Sequence, residues 1–293
     1  LICYPHVLAD APQLFEKKQQ NFALSTQDIE LNNQRNLFSE ALILIEMNEW
    51  GKLRSISQQL STYPLYPYLV YSDLVTNFSI PKRGQVSDYL DKYSGTVMAN
   101  RLRSRWLSFL AKRGQWTNYQ KYYQLETAST ARKCQFHYAQ YKRNNRSAAI
   151  QGGLELWTVG KSQPKECDDL FGVLIRSGYI DDSRAWQRFK KALLEHNFSL
   201  ARYTKRFMTE PSTLKRADLL YDLDRRPRKL ANFVSQVDHS FEDTEFLVHS
   251  LTHLAKNDPD LAAELWAQLA VQVEIDDRET AQIASSLVKA FVK

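Results

Sequence analysis

RLRSRWLSFLAKRGQWTNYQKYY, Arg101 to Tyr123, reads as one complete helix-turn-helix unit. Leu102, Trp106, Leu107 and Leu110 recur at helical spacing and share one face, with Arg101, Arg103, Arg105 and Lys112 largely on the other. Lys112 and Arg113 place positive charge where the helix dipole ends negative, and Gly114 can take the left-handed conformation that closes a helix. Trp116, Tyr119 and Tyr123 then resume the apolar spacing, which predicts a second helix folded back on the first. Such a pair cannot bury its second face alone, so the unit implies neighbours of its own kind.

The same grammar recurs along the chain: a helix, a short turn built on Gly or Asn, then a helix. Candidate turns are Asn48 to Gly51 after ALILIEM, Arg143 to Arg146 after FHYAQYK, His196 to Phe198 after RFKKALL, and Asn257 to Pro259 after LVHSLTHLAK. Their spacing is about thirty residues or about twice that, near the period of helix-pair repeats, although no strict repeat signature is present. Asn stands in for Gly because it tolerates the left-handed region better than other residues with a Cβ. The 293 residues are 43% apolar and 25% charged, a globular composition, and the 9 glycines and 9 prolines are about half of average usage. No sustained alternating run rich in Val and Ile occurs, so the fold class is all-α: a helix-pair superhelix (α-solenoid, ring or horseshoe-shaped). A net charge of +6 and a pI near 9.0 favour anionic partners, whether nucleic acid, an acidic polymer such as cell-wall glycan or a membrane surface. The plainer account of the same charge is a solvated face with a mild excess of Lys and Arg. No run of about 18 apolar residues exists, so no transmembrane segment is expected.

LICYPHVLADA, at the N-terminus, looks like the tail of an apolar segment followed by Ala9-Asp10-Ala11, an A-x-A cleavage site. Residues 1–11 are therefore expected to be the remnant of a secretory signal peptide and residues 12–293 the mature chain, starting at Pro12; the other reading is an ordinary buried N-terminal segment. Removing 1–11 takes Cys3 away and leaves Cys134 and Cys167, an even pair. In an oxidising compartment that pair is expected to form one disulfide, whereas in a cytosol it would be two buried thiols.

Other stretches carry residue types capable of chemistry. YPLYPYL, Tyr63 to Leu69, offers three tyrosines for sugar stacking, but a packed corner between repeats is favoured, with Pro67 in the first turn of the next helix. In GKSQPKECDDLF, Gly160 to Phe171, Gly160 is a C-cap candidate, Ser162 an N-cap candidate, and Glu166 and Asp168 suit a helix start. Its Gly-Lys-Ser is no phosphate loop, because position 155 is Glu and a helix precedes it instead of a strand. His249 and His253 are spaced to meet one metal ion, yet position 250 is Ser and no third ligand is near in sequence, so surface histidines and no metal site are expected. DRRPRK, Asp224 to Lys229, lacks the aromatic residues that stack bases, so a solvated loop and no nucleic-acid partner are expected. The pairs Asp181-Asp182 and Asp276-Asp277 suit helix N-termini better than acid-base work.

The strings LRSRWLSFLAKRGQW (Leu102 to Trp116) and LWTVGKSQPKECDDLF (Leu156 to Phe171) resemble the N-terminal superhelical region, the U domain, of the soluble lytic murein transglycosylases. YPLYPYL upstream and AWQRFKKALLEHNFSLARY (Ala185 to Tyr203) downstream keep the order of that family, over about residues 30 to 235. GKSQP followed by Cys and a Leu-Phe pair is the specific part, since nothing in helix physics requires it; Thr158 departs from the Leu expected after the Trp. The resemblance implies a periplasmic helical ring followed by a linker and a lysozyme-like domain. That domain cleaves between N-acetylmuramic acid and N-acetylglucosamine with a single Glu, leaving an anhydro end. The family's catalytic Glu-Ser dipeptide does not occur in this sequence. The chain is thus expected to be a noncatalytic fragment, with the linker and catalytic domain outside it, no catalytic residue, no cofactor, and peptidoglycan glycan strands as the partner of the parent enzyme. The alternative is a free-standing α-solenoid that binds a protein or an anionic polymer.

Overall fold

The computed structural model describes residues 26–235, 237 and 243–292, and none of the described residues lies in a strand. The expected signal-peptide remnant at 1–11 lies outside them. The chain divides into two compact units, one ending at Phe109 and the other beginning at Leu110.

The first unit holds α1 (Thr26–Glu46), α2 (Trp50–Ser57), α3 (Tyr66–Thr76), α4 (Arg83–Lys92) and most of α5 (Val97–Lys112). Helix α1 ends into the predicted turn, where Asn48 has φ 58°, and α2 folds back against it. Ala41, Leu53, Leu60 and Leu69 form the core of this corner, with Phe38, Tyr63 and Tyr66 packed on it. Two of the three tyrosines of YPLYPYL therefore serve packing, Tyr63 lying 5.4 Å from the Phe38 ring, while Tyr68 is exposed. Pro67 sits in the first turn of α3, where its missing N–H costs nothing, and its carbonyl accepts a hydrogen bond from the Tyr89 hydroxyl at 3.1 Å. Burial and neighbouring tyrosines push the Tyr89 phenol up to about 12. On α5, Leu102, Trp106 and Leu107 are buried as their spacing predicts.

The second unit starts at the end of α5 and carries α6 (Trp116–Tyr122), α7 (Thr130–Lys142), α8 (Arg146–Trp157), α9 (Asp168–Arg176), α10 (Asp182–Leu194), α11 (Phe198–Lys205), α12 (Pro211–Arg225), α13 (Leu230–Val234), α14 (Thr244–Ala255), α15 (Pro259–Leu269) and α16 (Asp277–Phe291). Consecutive helices pack as pairs, α7 on α8, α10 on α11 and α14 on α15, and α14 also packs on α12 and α16. Left-handed residues close the turns: Gly114 at φ 64°, Asn144 at 67°, Gly178 at 72° and His196 at 53°. The Asn257 turn works differently, since Asp258 caps α15 by accepting the Leu261 N–H and Pro259 follows as its first residue.

Both aspartate pairs stand at helix starts. Asp181 accepts the Arg184 N–H at 2.9 Å, and Asp276 forms a capping box with Glu279. Asp182 reaches further, accepting the Thr209 and Glu210 N–H groups at 2.7 and 3.0 Å and the Thr209 hydroxyl at 2.7 Å, which joins the start of α10 to that of α12. These bonds, the Glu210 N–H first, hold its carboxyl below the usual range.

Candidate functional site

The strings Leu156–Phe171 and Ala185–Tyr203 come together in space. Cys134 on α7 and Cys167, in the short 3₁₀ turn before α9, are joined by a disulfide with Cα atoms 4.9 Å apart, both residues fully buried. The intervening loop corrects two sequence expectations. Helix α8 ends at Trp157 with Thr158 as its C-cap, three residues short of Gly160. Ser162 is not an N-cap, because Pro164, with extended ψ of 151°, caps the 3₁₀ turn Lys165–Cys167 and α9 begins only at Asp168.

Gly160 has another task. A Cβ there would lie 2.2 Å from the backbone oxygen of Lys191 and 3.1 Å from Cγ of Glu195, so the glycine allows the loop to press on the end of α10. The Lys191 ammonium donates to the Thr158 carbonyl at 3.1 Å and Asn197 Nδ2 to the Gly160 carbonyl at 3.4 Å, which holds the loop down. Gly160→Ala is expected to cost about 2 kcal/mol, the scale of overpacking where backbone must move. A urea midpoint equal to that of the parent protein would refute this contact.

The loop, α9, α10 and α11 border an open cleft of about 260 Å³ lined by Ser162, Gln163, Asp168, Phe171, Arg188, Ser199, Leu200 and Tyr203. Arg188 is its distinctive group. It occupies a core position of α10, between Ala185 and Ala192 on the buried face, and is only 3% exposed. Its guanidinium lies 4.5 Å from the Trp157 ring and 5.7 Å from Phe171, so the charge rests on aromatic faces. Burial pushes its pKa down to about 10, which leaves it cationic at neutral pH. Arg188 Nε is buried and has no hydrogen-bond partner among the described residues. A fixed cation with hydroxyl and amide neighbours and one carboxylate, Asp168, suits capture of a small polar group; the space is below the roughly 300 Å³ where pockets for drug-sized ligands begin. Sequence reading missed Arg188, although a cation at an apolar position of an amphipathic helix was the signal that marked it.

The structure also corrects the expectation for His249 and His253. They are not separate surface histidines. Both face Asp224, the first residue of DRRPRK, whose carboxylate is fully buried, and His196 joins them from the turn after α10. Asp224 Oδ1 lies 3.2 Å from His196 Nδ1, 3.1 Å from His249 Nε2 and 4.0 Å from His253 Nδ1. Burial, then the His196 charge, lowers the pKa of His253. Of the other residues of DRRPRK, Arg225 ends α12 and lies over the Tyr221 ring, and in the turn that follows Arg226 and Lys229 pair with Asp222 and Arg228 with Asp258.

Fold and site together define an all-α protein of paired helices, with a guanidinium-lined cleft where a disulfide-anchored loop meets its neighbour pair. The chain is homologous to the soluble lytic murein transglycosylases. It is 29% identical to that of Salmonella typhimurium over 170 residues, 58% of this chain and 26% of the relative. Among solved structures, the 70-kDa soluble lytic transglycosylase of Escherichia coli superposes with a TM-score of 0.74 at 22% identity, over 90% of this chain and 42% of that one. An inactive mutant of lytic transglycosylase Slt from Pseudomonas aeruginosa gives 0.70 at 27% identity, over 87% and 41%. The chain thus spans about a quarter of the curated relative's length and about two-fifths of the solved chains. No protein-family model matches it.

Proposed function

We propose that this chain is the noncatalytic helical portion of a periplasmic lytic transglycosylase, which cleaves peptidoglycan glycan strands between N-acetylmuramic acid and N-acetylglucosamine and leaves anhydro-muramoyl ends. The observation that carries the reading is the homology, supported by the convergence of the family-like strings on one loop, one disulfide and one cleft. In this reading the cleaving carboxyl belongs to a domain outside these residues, and the helices supply the scaffold around its groove. The Cys134–Cys167 bond supports an oxidising compartment. Among the described residues no helix is long and apolar enough to cross a membrane.

Glycan cleavage needs a general acid within hydrogen-bond reach of the leaving oxygen, and the reading assigns none to these helices. Incubated with murein sacculi, purified residues 12–293 are expected to release no anhydro-muramoyl product detectable by mass spectrometry. They are expected to be retained weakly on the sacculi through their positive net charge, the whole sequence carrying +6, and to elute as salt rises, since screening acts over about 10 Å at 0.1 M. Anhydro-muramoyl ends in a preparation free of host enzymes would overturn the assignment.

A further inference from the structure

Asp224 is fully buried in the last turn of α12, at the negative end of that helix. A carboxylate is costliest there, because it loses its water and meets a dipole of its own sign, so a compensating positive charge is required. No Lys or Arg ion pair reaches it among the described residues; what surrounds it is imidazole. One oxygen, Oδ1, faces all three rings, while Oδ2 and the buried Nδ1 of His253 have no hydrogen-bond partner among the described residues. Two buried polar atoms without a hydrogen-bond partner thus stand beside one oxygen that faces three imidazoles, an arrangement that offers converging ligand atoms to a cation.

The geometry points to a divalent transition-metal site of the zinc class, ligated by His196, Asp224 and His253 and braced by His249. The ligand atoms of the first three lie within 4.8 Å of one another. Around zinc, ligand atoms bonded at about 2.1 Å stand about 3.4 Å apart, so the set closes by about an ångström through side-chain rotation. Asp224 is held by its burial, while His196 and His253, 40% and 29% exposed, have room to adjust. His249 Nε2 donates to the Asp224 carboxylate at 3.1 Å and fixes its orientation, the part an outer-sphere partner plays at metal centres. Two imidazoles and a carboxylate suit a borderline ion such as zinc, and the exposed edge at His196 leaves the fourth position to water. The site is independent of the glycan reading, lying between α10, α12 and α14 and using no residue of the Arg188 cleft.

His196 also supplies a clean test. It stands at φ 53° where the equivalent turns use Gly114 and Gly178, so His196→Gly removes a ligand while placing the residue best suited to the backbone there. The full chain, purified without a polyhistidine tag and stripped with chelator, is titrated with zinc chloride against a chromogenic competitor. One equivalent is expected to bind. His196→Gly and His253→Gln are each expected to weaken binding by at least about 10-fold, the scale of losing even an outer-sphere partner, while His137→Gln binds as the parent does. Circular dichroism confirms that each variant is folded, and either ligand variant suffices if the other is not. Failure of the parent chain to compete for zinc, or equal binding by a folded ligand variant, overturns the site.

Discussion

Reducing the Cys134–Cys167 bond is expected to lower the stability of the unit beginning at Leu110 by about 4 kcal/mol. The bond closes a loop of 33 positions, and in the chain-entropy model a loop of that length restricts the unfolded ensemble by this amount. Little native packing is lost on reduction, because both sulfurs sit in the main core beside Trp157, Leu170 and Leu174, where free thiols act as small apolar groups. The effect therefore acts through the unfolded chain. Urea unfolding with and without dithiothreitol measures it, and coincident midpoints would show that the bond constrains nothing. Mass spectrometry after alkylation of non-reduced, exported protein is expected to find both thiols blocked; two alkylated cysteines would refute the pairing.

Replacing Asp243 with alanine is expected to cost about 3 kcal/mol, the lower end of the range for breaking a buried ion pair. Its side chain is 2% exposed and bridges two cations, Lys190 Nζ at 3.2 Å and Arg216 Nε at 2.5 Å. The cost falls short of the maximum because Lys190 keeps Glu245 at 2.7 Å and Arg216 rests on the Trp186 ring, 5.0 Å from its centroid. Burial alone would lower the Lys190 pKa, but hydrogen bonds to Glu245 and Asp243 outweigh it and leave it raised. The sign follows: this lysine's contribution is complete below its ordinary 10.5 and fades only as pH climbs past the raised value. Glu195→Ala is the contrasting case, since its pair with Lys161 spans 3.6 Å between side chains 50% and 73% exposed and is worth under about 1 kcal/mol. Thermal unfolding of the two variants side by side decides the matter; equal shifts would mean that Asp243 is solvated in solution.

Much of the architecture was legible because it rests on local physics. The apolar stripe of α5 named Leu102, Trp106, Leu107 and Leu110 as core, and all four are buried. The turns at Gly114, Asn48 and Asn144 were legible because a left-handed residue is required where one helix reverses into the next, and few residue types accept it; at 196–198 the sequence signal is Asn197, but His196 takes the left-handed conformation and Asn197 caps the next helix. Spacing failed at element boundaries. Gly160 follows a helix as a C-cap does, but its lack of a side chain serves contact with the Lys191 backbone, in a helix that the local sequence does not contain.

By itself, then, the sequence determined the helices, their turns and the family resemblance, since each depends on residues a few positions apart or on strings read whole; it offered Cys134 and Cys167 as an even pair, and the structure, which brings them together across 33 positions, decided the bond. Only the tertiary structure decided what meets what. Arg188 reads as one more surface cation until α10 is laid against Trp157 and Phe171. His196, Asp224 and His253 stand about one repeat period apart, and nothing local says that successive pairs stack in the register that turns all three inward. Helical periodicity places a residue on a face; what that face touches is settled by the packing of whole helices, a long-range property that no window of sequence encodes.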